Sequence, residues 1–255
     1  MISVSIPSMS LIDFETALSS VAKEFAAWEI VAEGKHYMPD IEKGFIDATS
    51  SFDIEFSIHA PLSDVNIGSL NPRANELALQ EICETVRAAG RMNIDLCTVH
   101  PGFYGPMGVL DRSAVLKRTR VSLELIEEVA LDSGVRVALE NMPKMGTMMV
   151  MGRSPAELLP LIEDLDIGIC LDIGHAHTAG TIDDFLRHKD RVINVHVHDN
   201  LGDWDSHLPV GDGNIDFKKV LRGLSGYDGR YVIEAHGLPD GIISRDRLQS
   251  MLSAP

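Results

Sequence analysis

"DRSAVLKRTRVSLELIEEVALDSG" (residues 111–134) and the "RVALEN" (136–141) that follows it show the structural unit from which this chain is built. The first segment is long and helix-like, and it ends at Gly134, a helix-stop signal. The second is short and apolar with little alternation, which is typical of a strand covered on both faces. Together they predict a helix followed by a buried strand.

This unit recurs along the whole chain. Strands are predicted at residues 2–6, 28–33, 54–60, 95–100, 136–141, 167–173, 192–198 and 231–236. Helix-like segments separate them, and one of these begins with Asn71 before Pro72 and ends at Gly90. Alternating strands and helices imply a parallel sheet of the α/β class. Eight repeats in 255 residues without a linker fit a single (β/α)₈ TIM-barrel domain spanning residues 1–255. An open doubly wound sheet is the alternative, because periodicity does not show closure.

The composition narrows the possible partners and location. A net charge of −16 disfavours non-specific attraction to polyanions. The three cysteines show no paired spacing, and the N-terminal residues carry no signal-peptide pattern. Because an apolar run of about 18 residues is also absent, we expect a reduced, cytoplasmic protein that does not enter a membrane.

Ionisable residues lie at the ends of the last six predicted strands. They are His59, His100, Glu140, Asp172 with His175 just beyond it, His196 and Glu234, and the loop after the seventh strand adds Asp205 and His207. In a parallel barrel these ends open onto one face, where catalytic residues gather. Glu140 and Glu234 have no Lys or Arg near them in their strands, so a cation would offset the cost of burying them. Imidazole with carboxylate suits Zn²⁺, Mn²⁺ or Fe²⁺.

Seven motifs carry a resemblance to a known family. They are "SIHAPL" (57–62), "TVHPG" (98–102), "ALENM" (138–142), "CLDIGHAH" (170–177), "VHVHDN" (195–200), "DSHLPVGDGNIDF" (205–217) and "VIEAH" (232–236). Together they resemble the xylose-isomerase-like TIM-barrel superfamily, which includes endonuclease IV (AP endonuclease family 2) and many sugar isomerases and epimerases.

The resemblance to endonuclease IV implies nine ligands for three zinc ions. The first site would use His59, His100 and Glu140; the second Glu140, Asp172, His196 and Glu234; the third His175, Asp205 and His207. His198 falls where relatives often have Asn or Lys, so we expect it to lie behind the ligands or to face the substrate.

Two enzyme classes remain open. The favoured one is hydrolysis of a phosphoester, with up to three Zn²⁺ ions and with Glu140, Glu234 and His175 in catalytic roles. Its substrate would be a small phosphorylated molecule or abasic DNA. The alternative is a sugar or sugar-phosphate isomerase or epimerase with one Mn²⁺, Mg²⁺ or Co²⁺, in which Glu140 and Glu234 transfer protons. Asp205 and His207 stand in a loop where the isomerases often have an arginine, which favours the multi-metal arrangement. A non-catalytic metal-binding barrel is a third hypothesis.

Loop residues supply candidate substrate contacts. Lys144 and Arg153, in the Met-rich loop after the fifth strand, are candidates for holding a phosphate. Phe103 and Tyr104 are candidates for lining the mouth of the barrel. His198 is a candidate for contacting the substrate. The sequence does not specify an oligomeric state.

Overall fold

Eight parallel strands close into a barrel in chain order. The computed structural model describes residues 1–144, 146 and 149–253. The strands are β1 (Ile2–Ser5), β2 (Ala27–Val31), β3 (Glu55–His59), β4 (Leu96–Val99), β5 (Arg136–Glu140), β6 (Ile167–Asp172), β7 (Val192–Val197) and β8 (Arg230–Glu234). β1 pairs with β8, with Val4 opposite Ile233, and this pairing closes the sheet. The predicted (β/α)₈ barrel is therefore confirmed, and the open sheet is excluded.

Helices surround the barrel. Within the described residues the α-helices are α1 (Phe14–Val21), α2 (Met38–Thr49), α3 (Pro72–Arg91), α4 (Pro106–Leu110), α5 (Arg112–Ser133), α6 (Pro155–Leu158), α7 (Ile173–Ala179), α8 (Ile182–Leu186), α9 (Phe217–Gly223) and α10 (Leu238–Leu252). The Asn71 side chain caps α3 by accepting from the backbone N–H of Arg73 at 3.1 Å. Gly134, at φ +67°, follows α5 in the left-handed conformation that ends many helices.

Some predicted boundaries differ from the observed ones by one or two residues. β2 ends at Val31, two residues before the predicted end, because Glu33 turns away to accept from the backbone N–H groups of Leu62 and Ser63. β4 ends at Val99, so His100 lies just beyond the strand. α3 continues one residue past Gly90, to Arg91.

The barrel has an apolar outer layer and a polar interior. Trp28 on β2 packs outward, stacking on Phe14 with ring centroids 5.6 Å apart. Glu29, the next residue, is equally buried but bonds across the barrel to Ser57 and Asn194. Alternation along the strand sends these neighbours to opposite faces. The interior therefore holds a hydrogen-bonded polar network beneath the strand ends.

None of the helices within the described ranges combines the length and the apolarity needed to cross a membrane.

Candidate metal centre

A cavity of about 460 Å³ opens at the carboxyl ends of the strands. Predicted ligands form its floor: His59, His100, Glu140, His175, Asp205, His207 and Glu234. Apolar side chains, among them Leu62, Val65, Phe103, Met142 and Val150, form much of its walls. Asp172 and His196 are fully buried just below this floor. The structure thus brings all nine predicted ligands to one end of the barrel.

The Glu140 carboxylate is surrounded by imidazole nitrogens. Its Oε2 lies 3.2 Å from Nε2 of His59 and 3.1 Å from Nε2 of His100. Its Oε1 lies 3.2 Å from Nδ1 of His175 and 3.4 Å from Nδ1 of His196. Burial raises the pKa of Glu140, but the imidazoles, first His196 and then His100, outweigh it and hold that pKa well below the usual range. Glu140 is therefore an ionised carboxylate shared between several neighbours.

Several overlapping sets of donor atoms lie within 4.8 Å of one another, and one of them joins Asp172, His175, His198 and Glu234. Three groups together include all nine predicted ligands. The groups are His59 with His100 and Glu140; Glu140 with Asp172, His196 and Glu234; and His175 with His198, Asp205 and His207. We call them the first, inner and outer groups. Oδ2 of Asp172 and Nδ1 of His196 are buried without a hydrogen-bond partner in the described structure. Buried polar atoms are normally paired, so these orphaned atoms fit a cation in the inner group.

Two of the histidines use one ring nitrogen for the protein and leave the other facing a carboxylate. His59 places Nδ1 2.8 Å from the carbonyl oxygen of Ala60, and His175 places Nδ1 2.8 Å from that of Asn141. A ring that donates its Nδ1–H to a carbonyl carries its lone pair on Nε2 when the ring is neutral. This is the orientation that a metal ligand requires.

His196 is oriented by a residue that the sequence reasoning missed. Nε2 of His196 lies 2.8 Å from Oε1 of Glu29, which leaves Nδ1 facing Glu234 Oε1 at 3.1 Å. The other oxygen of Glu29 accepts from Ser57 Oγ at 3.0 Å and from Asn194 Nδ2 at 2.9 Å. The available signal was a lone Glu between Trp28 and Ile30 in an otherwise apolar strand. Its partner on β7 is not visible from sequence.

The outer group is centred on Asp205. Oδ2 of Asp205 lies 3.2 Å from Nε2 of His175 and 3.3 Å from Nε2 of His207. Burial disfavours the charged form of His207, but its hydrogen bond to Asp205 and the charge of Glu234 raise its pKa to about 9. His207 also has φ +45°, a conformation that is uncommon for residues other than glycine.

Asp199 shapes the loop that carries Asp205 and His207. Its Oδ1 accepts from the backbone N–H groups of Asn200 at 2.9 Å and Ile215 at 3.2 Å, and its Oδ2 accepts from that of Gly211 at 2.8 Å. At Gly213 a Cβ atom would collide with Asp199, so glycine is required there for the close approach. The many Asp and Gly residues of this stretch thus fold the loop as well as supply a donor.

The candidate substrate contacts are dispersed. Phe103 lines the cavity, whereas Tyr104 lines a separate one beside α5 and α6. Arg153 pairs with Glu157 on the surface at 3.2 Å. Lys144 is exposed. His198 is fully buried and does not form part of the cavity wall. Part of the Met-rich loop (residues 145, 147 and 148) lies outside the described residues.

A (β/α)₈ barrel that presents imidazoles and carboxylates to a single cavity at its strand ends has the architecture of metal-dependent barrel enzymes. The chain belongs to the xylose isomerase-like TIM barrel family, whose model matches residues 21–251. Members of this family include epimerases and endonuclease IV.

The proteins similar to this chain include both a probable endonuclease and an epimerase-like protein. Uncharacterized protein MJ1311 of Methanocaldococcus jannaschii is 36% identical over 252 residues, covering 93% of this chain and 85% of that protein. A probable endonuclease 4 of Mycoplasmopsis pulmonis is 29% identical over 180 residues, covering 66% and 61%. The crystal structure of a D-tagatose 3-epimerase-like protein is 34% identical with a TM-score of 0.90, covering 98% of this chain and 96% of that one. The TTHB071 protein of Thermus thermophilus, from a crystal soaked with ZnCl₂, shares the fold at 23% identity, with a TM-score of 0.77 and 98% and 97% coverage.

Proposed function

We propose that this protein hydrolyses a small phosphoester at a centre of up to three divalent cations, with Zn²⁺ favoured. The observation that carries the proposal is that two complete donor groups flank the inner one. An isomerase that works with one metal needs only Glu140, Asp172, His196 and Glu234. Here Glu140 also joins His59 and His100, and the outer group adds donors within 4.8 Å of one another.

The residues would have different roles in such a centre. His59 and His100 would hold the first cation, and Glu140 would bridge it to the inner one. His175 links the inner and outer groups, because Nδ1 lies 3.2 Å from Glu140 and Nε2 lies 3.2 Å from Asp205. Glu234 lines the cavity and is placed to meet the substrate. Bound divalent cations would lower the pKa of a water molecule and stabilise the charge that develops on phosphoryl oxygens.

The cavity favours a small substrate over duplex DNA. Among the described residues that line it, there is no Lys or Arg. The net charge of −16 also offers no general attraction to a phosphate backbone. The phosphate would be held by the cations, and the apolar walls around Phe103 and Val150 would pack against an organic group. Abasic DNA is therefore the less favoured phosphoester.

The second candidate is epimerisation or isomerisation of a sugar with one cation. It is favoured by the same absence of Lys and Arg from the described lining of the cavity and by the similarity to the D-tagatose 3-epimerase-like protein. Glu140 and Glu234 would then remove and return a proton.

Activity assays separate the two candidates. Zinc-loaded protein is tested on bis(p-nitrophenyl) phosphate and on an oligonucleotide with an abasic site, and Mn²⁺-loaded protein on a panel of ketoses. We expect hydrolysis of the small diester, lost in His207→Ala and kept in the control Asp203→Ala, an exposed position of the same loop. Ketose epimerisation that survives in His207→Ala, without phosphodiesterase activity in the wild type, would overturn the proposal.

A further inference from the structure

His198 is a fully buried imidazole without a partner. Neither Nδ1 nor Nε2 has a hydrogen-bond partner among the described residues. Burying such a polar ring unpaired costs free energy. The fold nevertheless makes room for it, because a Cβ atom at Gly174 would collide with the ring. The ring also stacks on that of His207, with centroids 3.9 Å apart and planes at 9°.

The ring faces two carboxylates, one in the inner group and one in the outer group. Nε2 of His198 lies 3.3 Å from Oδ1 of Asp172 and 3.4 Å from Oδ1 of Asp205, on the Asp205 oxygen that His175 and His207 do not approach. Three imidazoles therefore surround one carboxylate, and their donor atoms fit within 4.8 Å. A cation in the group would accept the lone pairs of both rings and would satisfy them together.

We propose that His198 is a fourth protein ligand of the cation in the outer group, together with His175, Asp205 and His207. The inference rests on the metal centre of the proposed function and adds to it. The resemblance to endonuclease IV supplies three ligands for this site; His198, at a position where relatives often have Asn or Lys, would complete the set in this chain.

A fourth protein ligand changes the role of the site. Four ligands fill the tetrahedral positions of Zn²⁺, and sites of that kind are structural, whereas catalytic sites keep a position open. The outer cation would then be held more tightly than the others. It would fasten the loop that carries Asp205 and His207 to α7 and β7, and the first and inner groups would be left to bind the substrate.

The variant His198→Asn tests the proposal, with His177→Asn as the matched control. His177 is a histidine on α7, next to this loop, and it belongs to none of the donor groups. Zinc-loaded proteins are dialysed against increasing chelator and the retained zinc is measured. We expect one ion in the wild type and in His177→Asn to outlast the others, and His198→Asn to bind that ion about 10–100-fold more weakly. Equal retention in all three proteins would overturn the proposal.

A second measurement uses the unaltered protein, so it does not depend on a variant that folds. The protein is labelled with ¹⁵N-histidine and loaded with ¹¹³Cd²⁺, and couplings between cadmium and ring nitrogens are recorded. We expect coupling to His198 as well as to His175 and His207. Coupling to the latter two alone would refute the assignment. Neither experiment requires a substrate, so absent phosphodiesterase activity would contradict the proposed function without touching the role of His198.

Discussion

Individual side chains of this site contact different residues through each of their two polar atoms. His196 meets Glu29 through Nε2 and turns Nδ1 towards Glu140 and Glu234. The Glu29 carboxylate is itself fixed by hydrogen bonds from Ser57 and Asn194. Partners of this kind hold a ligand ring in place and raise its basicity. The geometry of the inner group therefore depends on a residue that contributes nothing to the cavity.

Replacing Glu29 with Gln tests that dependence. The amide keeps the shape of the side chain but removes the negative charge that faces Nε2 of His196. We expect zinc affinity at the inner group to fall about 10–100-fold with little change in secondary structure. Competition with a chromophoric chelator measures the affinity, and Glu55→Gln, at an exposed position of β3, is the control. Unchanged affinity in Glu29→Gln would show that His196 needs no such partner.

The candidate ligands were easier to find in the sequence than the residues that orient them. His59, Glu140 and Glu234 stand at the ends of apolar strands, where a polar residue contrasts with its neighbours. Glu29 lies within a strand, and its partner His196 is far from it in the sequence. Such a pairing depends on closure of the sheet and on the inward direction of both side chains, and neither is encoded in local periodicity.

At the scale of elements, the loop between β7 and α9 decides whether the outer group forms. It supplies Asp205 and His207, and its ends are held together by the Asp199 carboxylate. Loops of this length without regular structure are usually functional. Its shape could not be predicted from the sequence, because the run of Asp and Gly residues does not reveal which carboxylate folds the loop and which faces a metal.

Replacing Asp199 with Ala tests the role of this loop. Three backbone N–H groups lose a charged acceptor, so we expect the free energy of unfolding to fall by about 3 kcal/mol. The outer cation should be lost while the inner one is retained. Urea unfolding and zinc analysis measure the two effects, with Asp203→Ala as the control in the same loop. A variant with wild-type stability and zinc content would contradict this account.

The positions of the strands could be predicted from the sequence more readily than the residues at which they end. The apolar runs placed all eight strands because each is covered by helices on its outer face. Their ends were misjudged where a polar side chain turns to a loop, as Glu33 does towards Leu62 and Ser63. The polar interior was also unexpected, because the hydrogen bonds that Ser57 and Asn194 donate to Glu29 inside the barrel leave no pattern in the sequence.

For the whole molecule, pH should act in opposite directions with and without metal. In the metal-free protein, burial opposes protonation of His207, but Asp205 and Glu234 raise its pKa from 6.5 to about 9. The stabilisation from this group is complete below about pH 6.5 and is lost as the pH rises through about 9. We expect the unfolding temperature of chelator-treated protein to fall over that interval. The zinc-loaded protein should gain stability instead, because metal binding requires deprotonated imidazoles.

Thermal denaturation across a pH series checks both slopes. In metal-free His207→Ala the unfolding temperature should fall less over this pH interval, since one group with a raised pKa is gone. A metal-free protein whose unfolding temperature is constant or rises between pH 6.5 and pH 9 would contradict the assignment of charge in the outer group.

The proposed metal centre gathers donors for three cations around Glu140 and Asp205 at one end of the barrel. Anomalous diffraction at the zinc edge, from crystals of zinc-loaded protein, tests it most directly because it counts and locates the ions together. We predict three peaks, one within each donor group. A single peak among Glu140, Asp172, His196 and Glu234, with the outer group empty at saturating zinc, would contradict the account.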